Sequence, residues 1–218
     1  QHYNTEILRM VGEGLPMVFI DRYLEGLPVP FVGSDNKKAI QDLTAYLLKN
    51  GYQKIGYITP PAEDAASLRQ RMEGYCEICE KKRMRCWDEA PATDREGYLL
   101  DTIRSTIPDQ QTLSNQEADE RRIRGFLEEH PGLEAIMTAE YDIAVLTEKI
   151  CAKMGIHVPD ELLISCFDGP SSAYGEYGYP HVRQAEDKIG KKAVELLEDM
   201  IQGKKEIKQV CFESEIVC

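Results

Sequence analysis

Residues 29–58 read VPFVGSDNKKAIQDLTAYLLKNGYQKIGYI. A short apolar run, Phe31 to Gly33, stops at the polar corner Ser34-Asp35-Asn36. From Asn36 to Lys49 the apolar residues Ala39, Ile40, Leu43 and Leu47 recur at the spacing of one helix face, and Asn50-Gly51 supplies a stop at which glycine tolerates a positive φ. A second β-branched and aromatic run, Ile55 to Ile58, follows directly. Strand, polar corner, helix, glycine stop and strand together describe a βαβ unit, and hence a largely parallel sheet covered by helices.

The pattern extends in both directions. Further strands are expected at Met17 to Ile20, Arg85 to Trp87, Ala135 to Thr138, Leu162 to Phe167, His181 to Gln184 and Val210 to Glu215. Helices are expected at Tyr3 to Val11, Asp64 to Lys82, Arg95 to Ser105, Gln116 to Glu129 and Asp142 to Met154. The clearest after the first is Glu186 to Gln202, which carries Ile189, Ala193, Leu196, Leu197 and Met200 on one face and stops at Gly203. The fold class is therefore α/β.

Composition narrows the function. The 218 residues carry a formal net charge of −12, a field that repels phosphate backbones, so this chain is not itself a surface that grips nucleic acid. No apolar run approaches the roughly 18 residues that a membrane span needs. The seven cysteines are odd in number and scattered, which reads as reduced thiols and a cytoplasmic location. Cys76 and Cys79 form a CxxC on an amphipathic helix with no second pair, so no zinc site and no cofactor is expected. The four histidines are dispersed, and no phosphate loop, nucleophile elbow or metal-binding His-Glu motif is present.

In open parallel sheets ligands sit beyond the carboxyl ends of the strands. Those positions are polar here: Asp21 and Arg22 follow the first strand, Asp35 the second, Glu140 follows Thr138, and Asp168 follows Phe167. One acid at a strand end is often a helix cap, and Asp35 reads partly as one. Arg69 and Arg71 lie two apart on a helix, so only one can face a given cleft, and Arg71 is the favoured donor. Carboxylates accept and guanidiniums donate, a combination that suits the hydroxyls of a sugar. The stretch SSAYGEYGYP after Asp168 reads either as an aromatic wall for a sugar ring or as a plain surface loop. A carboxylate pair such as Asp21 with Asp168 would also serve glycoside chemistry, a weaker alternative.

The ordered motifs from about Leu15 to Val217 resemble a known family. LPMVFIDR, the strand-corner-helix quoted above, LRQRMEGY, AIMTAEYDIA, MGIHVPDELLISCFDG and VRQAEDKIGKKAVELLEDMIQGK are similar, in order, to motifs of the effector-binding domain shared by LacI-type repressors and periplasmic sugar-binding proteins. That domain is also found behind winged-helix GntR-type heads, as in arabinose repressors. The resemblance implies two Rossmann-like lobes around a sugar cleft, of the periplasmic binding protein type I kind, with no catalytic role. Residues 1–59 and 186–210 would form the first lobe, 62–182 and 214–218 the second, with crossovers near 58–61, 183–185 and 211–215. Carried over by motif, the ligand positions fall on Arg71, Asp168 and Gln184, with Glu140 at a corner where the family usually has Asn-Asp.

The resemblance begins late in the first lobe, so about two βα units, roughly 60 residues, and a DNA-binding head are expected to be missing from this chain. Unpaired strand edges and an exposed apolar face would follow, to be covered by a partner chain or swapped element. The implied partners are a sugar effector, operator DNA through the absent head, and a second copy of the chain. A periplasmic sugar-binding protein feeding a transporter is the alternative reading.

Overall fold

The computed structural model describes residues 5–24, 26–60, 65–82, 110–170, 178–204 and 206–218, with only the helical backbone over 110–116. The expected strand Arg85 to Trp87, the expected helix Arg95 to Ser105 and most of the SSAYGEYGYP stretch lie outside the described residues.

Helix α1 (Thr5–Gly12) leads into strand β1 (Phe19–Ile20), then β2 (Phe31–Ser34), α2 (Asn36–Lys49), β3 (Ile55–Ile58) and α3 (Ala66–Lys82). After these come α4 (Gln110–Glu129), β4 (Ala135–Thr138), α5 (Tyr141–Met154) and β5 (Leu163–Phe167). The chain closes with β6 (His181–Arg183), α6 (Glu186–Ile201), β7 (Gln209–Phe212) and β8 (Glu215–Val217). Two sheets result, ordered β1-β2-β7 and β3-β4-β5-β6-β8. All pairs are parallel except β6 with β8, which is antiparallel.

Each sheet defines a lobe. In the first, Ile189, Ala193 and Leu196 of α6 pack on Val32, with Val18, Val210 and Phe212 around them. In the second, one face of the sheet is covered by α2 and α3, whose Ile40, Leu43, Leu47, Leu68 and Tyr75 meet Ile55, Tyr57 and Met137. The other face is covered by α4 and α5 through Ile123, Phe126, Ile143 and Ile150 against Ile58 and Ile136. β3, β4 and most of β5 are buried on both faces, which is why they read as continuous apolar runs rather than alternating ones.

The structure moves the first crossover. The sequence placed Ile55 to Ile58 in the first lobe with a crossing near 58–61, but β3 pairs with β4 residue for residue, Ile55 opposite Ala135 through Ile58 opposite Thr138. Helix α2 also packs against α3. The backbone therefore changes lobe between Ser34 and Asn36. The other two changes occur between β6 and α6 and between β7 and β8, so the expected single strand Val210 to Glu215 is two strands in different sheets. Helix α4 starts at Gln110, earlier than the expected Gln116.

Close packing of α2 on α3 depends on one glycine. A Cβ at Gly74 would stand 2.5 Å from the main-chain oxygen of Lys37, inside contact distance of a group that cannot swing away. Nearby, the Tyr57 and Tyr75 rings stack with centroids 5.2 Å apart, and the Tyr75 hydroxyl donates to the Ile55 carbonyl at 2.6 Å. This contact fixes α3 on the sheet and so fixes where the α3 side chains point.

Candidate functional site: a cleft between the strand ends

The carboxyl ends of the two sheets face each other across a cleft of about 570 Å³, lined by Asp21, Arg22, Ser67, Arg71, Glu140, Tyr141, Asp142, Asp168, Gly169 and Pro170. Five of the seven residues singled out from sequence meet here: Asp21 and Arg22 come from the end of β1, and Arg71, Glu140 and Asp168 from the second lobe.

Arg71 is buried on α3 and is held from several sides. Its Nε donates to Asn36 Oδ1 at 2.8 Å and its Nη1 to the Ala139 carbonyl at 2.7 Å, while the guanidinium lies 3.4 Å from the centroid of the Phe167 ring. Burial pushes its pKa down, and the fields of Tyr57, Asp168, Asp21 and Glu140 oppose that shift. The guanidinium stays charged, as arginine does in proteins. Among the described residues nothing accepts from Nη2, which leaves a donor for the cleft. Ser67 precedes Arg71 by one helical turn and shares its face, a relation legible in the i, i+4 spacing.

Two of the lining acids occupy unusual backbone. Asp21 and Asp168 have φ of 63° and 64°, the left-handed region that costs a non-glycine residue on the order of 1 kcal/mol. Aspartate tolerates it better than most residues, and the turn aims each carboxylate off its strand end. Asp21 Oδ1 is buried and bonds none of the described residues. Burial raises the Asp168 pKa, against the Gln184 hydrogen bond and the Arg71 charge. Burial likewise raises that of Glu140, against Arg71 and Arg22. Arg22 reaches Glu140 across the cleft at 3.8 Å, but with half of its side chain in solvent this pair adds little.

The remaining two residues stand elsewhere. Asp35 caps α2, its Oδ1 accepting from the Lys38 amide at 2.9 Å, so its carboxylate does not line the cleft. Gln184 sits behind Asp168 at the second crossover: its Nε2 donates to Asp168 Oδ1 at 2.9 Å, and its Oε1 accepts from Ser34 Oγ at 2.6 Å. Sequence reading missed Ser67, Tyr141, Asp142, Gly169 and Pro170 as lining residues, and also Asn36 and Phe167 as supports of Arg71. Among the described residues no group of three or more His, Cys, Asp and Glu could hold a metal ion, and no helix is long and apolar enough to cross a membrane.

Residues 44–217 match the periplasmic binding protein-like domain. The chain belongs to that family. Among curated relatives of this periplasmic binding protein-like domain, the ribose operon repressor of Halalkalibacterium halodurans is 28% identical over 155 residues, which is 71% of this chain and 40% of that protein. The transcriptional repressor CytR of Escherichia coli K12 is 25% identical over 189 residues, 86% of this chain and 50% of that protein. The chain thus spans about half the length of these curated relatives or less. Among solved structures, a LacI family transcriptional regulator from Enterococcus faecium with bound ribose superposes with a TM-score of 0.75 at 17% identity, covering 99% of this chain and 74% of that one. The two-lobed α/β architecture of the domain is the one these regulators share.

Proposed function

We propose that the cleft holds a small sugar and that the chain is the ligand-sensing part of a LacI-type transcription repressor. The observation that carries this reading is the opposed lining, with Asp21 and Arg22 on one lobe and Arg71, Glu140 and Asp168 on the other. A polyol hydroxyl donates and accepts at once, so a single molecule suits the acids of the lining and the Arg71 guanidinium together. A ligand gripped from both sides stabilises the closed arrangement of the lobes by its differential affinity, and only that difference can reach an attached head. The names of the curated relatives favour a repressor over a transport-linked binding protein.

Operator binding through a DNA-binding head outside this chain, a cytoplasmic location and a role without catalysis belong to the same proposal. So does a homodimer. Among the described residues the exposed large apolar side chains are Leu8, Leu15, Ile20, Val194, Ile201 and Ile207, which all lie on α1, β1, α6 and the approaches to β1 and β7. A second copy would cover such a surface.

Four acids against two arginines in the lining disfavour a phosphate. In calorimetric titrations with D-ribose, other pentoses and hexoses, and their phosphate esters, at least one neutral sugar is expected to bind. Its phosphate ester is expected to bind at least about tenfold more weakly, about 1.4 kcal/mol. Heat from none of them contradicts the sugar reading.

A further inference from the structure

Two polar arms run from the cleft to one residue at the first crossover. In the first arm, Asp168 Oδ1 accepts from Gln184 Nε2 at 2.9 Å and Gln184 Oε1 accepts from Ser34 Oγ at 2.6 Å. In the second, Arg71 Nε donates to Asn36 Oδ1 at 2.8 Å, and Asn36 Nδ2 donates to the Ser34 carbonyl at 3.2 Å. One arm starts from an acid of the cleft and the other from its buried cation, each passes through a single side-chain amide, and both end on Ser34. Ser34 is buried and is the last residue of β2, where the backbone leaves the first sheet. Gln184 follows β6, where the backbone returns.

The chemistry fixes the direction of the first arm. An ionised carboxylate only accepts, so the Gln184 amide must turn its nitrogen toward Asp168. Its oxygen is then left for Ser34, whose hydroxyl has to donate. Ser34 therefore holds the amide in the one orientation that supports the Asp168 charge. A flipped amide would set two oxygen acceptors against each other in a site from which water is partly excluded.

We infer that Ser34 and Gln184 are positioning residues that orient the Asp168 carboxylate and tie it, in parallel with Arg71 through Asn36, to two of the three crossovers between the lobes. Gln184 then acts on a bound molecule through Asp168 rather than by touching it, and a ligand that engages Asp168 and Arg71 loads both arms at Ser34. The regulatory meaning rests on the sugar reading of the cleft. The hydrogen-bond logic does not, so it is tested without sugar.

The test is a carboxyl-detected NMR titration of Asp168 in the ligand-free protein, with Ser34→Ala, Ser34→Thr and Gln184→Leu, together with amide hydrogen exchange at residues 34–36 and 184–186. Arg71, Asp21 and Glu186 also act on Asp168 and are unchanged in every variant. Gln184→Leu removes the donor, and Asp168 is expected to titrate about one pH unit higher. Ser34→Ala is expected to move it in the same direction, and Ser34→Thr, which keeps the hydroxyl, to restore it. Exchange at both crossovers is expected to rise about tenfold in Ser34→Ala, not only beside the substitution. Should Gln184→Leu fail to fold, the isosteric Gln184→Glu places a second carboxyl against Asp168 and is expected to raise its pKa further. An Asp168 titration unchanged in Ser34→Ala, or unrestored by Ser34→Thr, overturns the inference, as does faster exchange at one crossover alone. A protein that passes this test but binds no sugar would lose the sugar reading and keep the positioning roles.

Discussion

Replacing Arg71 with methionine is expected to lower the free energy of unfolding by about 3 kcal/mol and to weaken sugar binding at least about 100-fold. Methionine fills much of the aliphatic volume, so the loss comes from polar groups. Asn36 Oδ1 and the Ala139 carbonyl lose a charged donor, and the Phe167 ring loses the guanidinium over its face. Asp168, Glu140 and Asp21 then share a cleft without its buried cation. Desolvation of Arg71 opposes these gains in the parent, which is why the expected loss is below the sum of its contacts. Two carboxyls should report the change as well: with the Arg71 charge gone, burial raises the Asp168 and Glu140 pKa values further above the ordinary carboxyl range. Urea denaturation and calorimetry check both numbers, and a variant within about 1 kcal/mol of the parent would show that the Arg71 contacts do not hold the site together.

Gly74→Ala is the second large effect, and here two principles pull in opposite directions. In an exposed helix interior alanine is about 1 kcal/mol better than glycine. At Gly74 the added Cβ would stand 2.5 Å from the Lys37 main-chain oxygen, so α2 and α3 must separate. Overpacking against backbone costs about 1–3 kcal/mol beyond the recovered propensity, and the clash wins. The consequence reaches function because Arg71 rides on the same helix, three residues earlier and almost one turn away. A shift of α3 lengthens its bonds to Asn36 and Ala139. Thermal unfolding is expected to show a net loss of about 2 kcal/mol, with a parallel fall in affinity; a stabilised Gly74→Ala protein would show that the helices have room to spare.

The elements that were legible in the sequence are those whose signal is local. Helices α2 and α6 follow from apolar spacing and from glycines at their ends, Gly51 and Gly203, which take φ of 98° and 87°. The strand ends pointed to Asp21, Glu140 and Asp168 because ligands of parallel sheets gather beyond the carboxyl ends of the strands, where these residues stand. The lobe assignment of β3 was not legible. A strand-helix-strand pattern reads the same whether both strands pair in one sheet or the chain passes to another between them, and only the pairing of Ile55 with Ala135 distinguishes the two cases. Asp35 misled for a related reason, since a cap and a ligand residue occupy the same position after a strand. Gln184 was reached through resemblance, and its place behind Asp168 depends on the contact with Ser34, 150 residues away in the chain.

If the cleft holds a sugar, its hydroxyls meet Asp21, Arg71 and Asp168 where the strands of both lobes end. The most direct measurement is an NMR titration with the neutral sugars of the calorimetric series, following the Arg71 Nε–H and the backbone amides of Asp21, Asp168 and Gly169. Saturable shifts are expected at all four, with a shared dissociation constant. Saturable binding that leaves the Arg71 and Asp168 signals in place, while moving residues on another face, would contradict this placement.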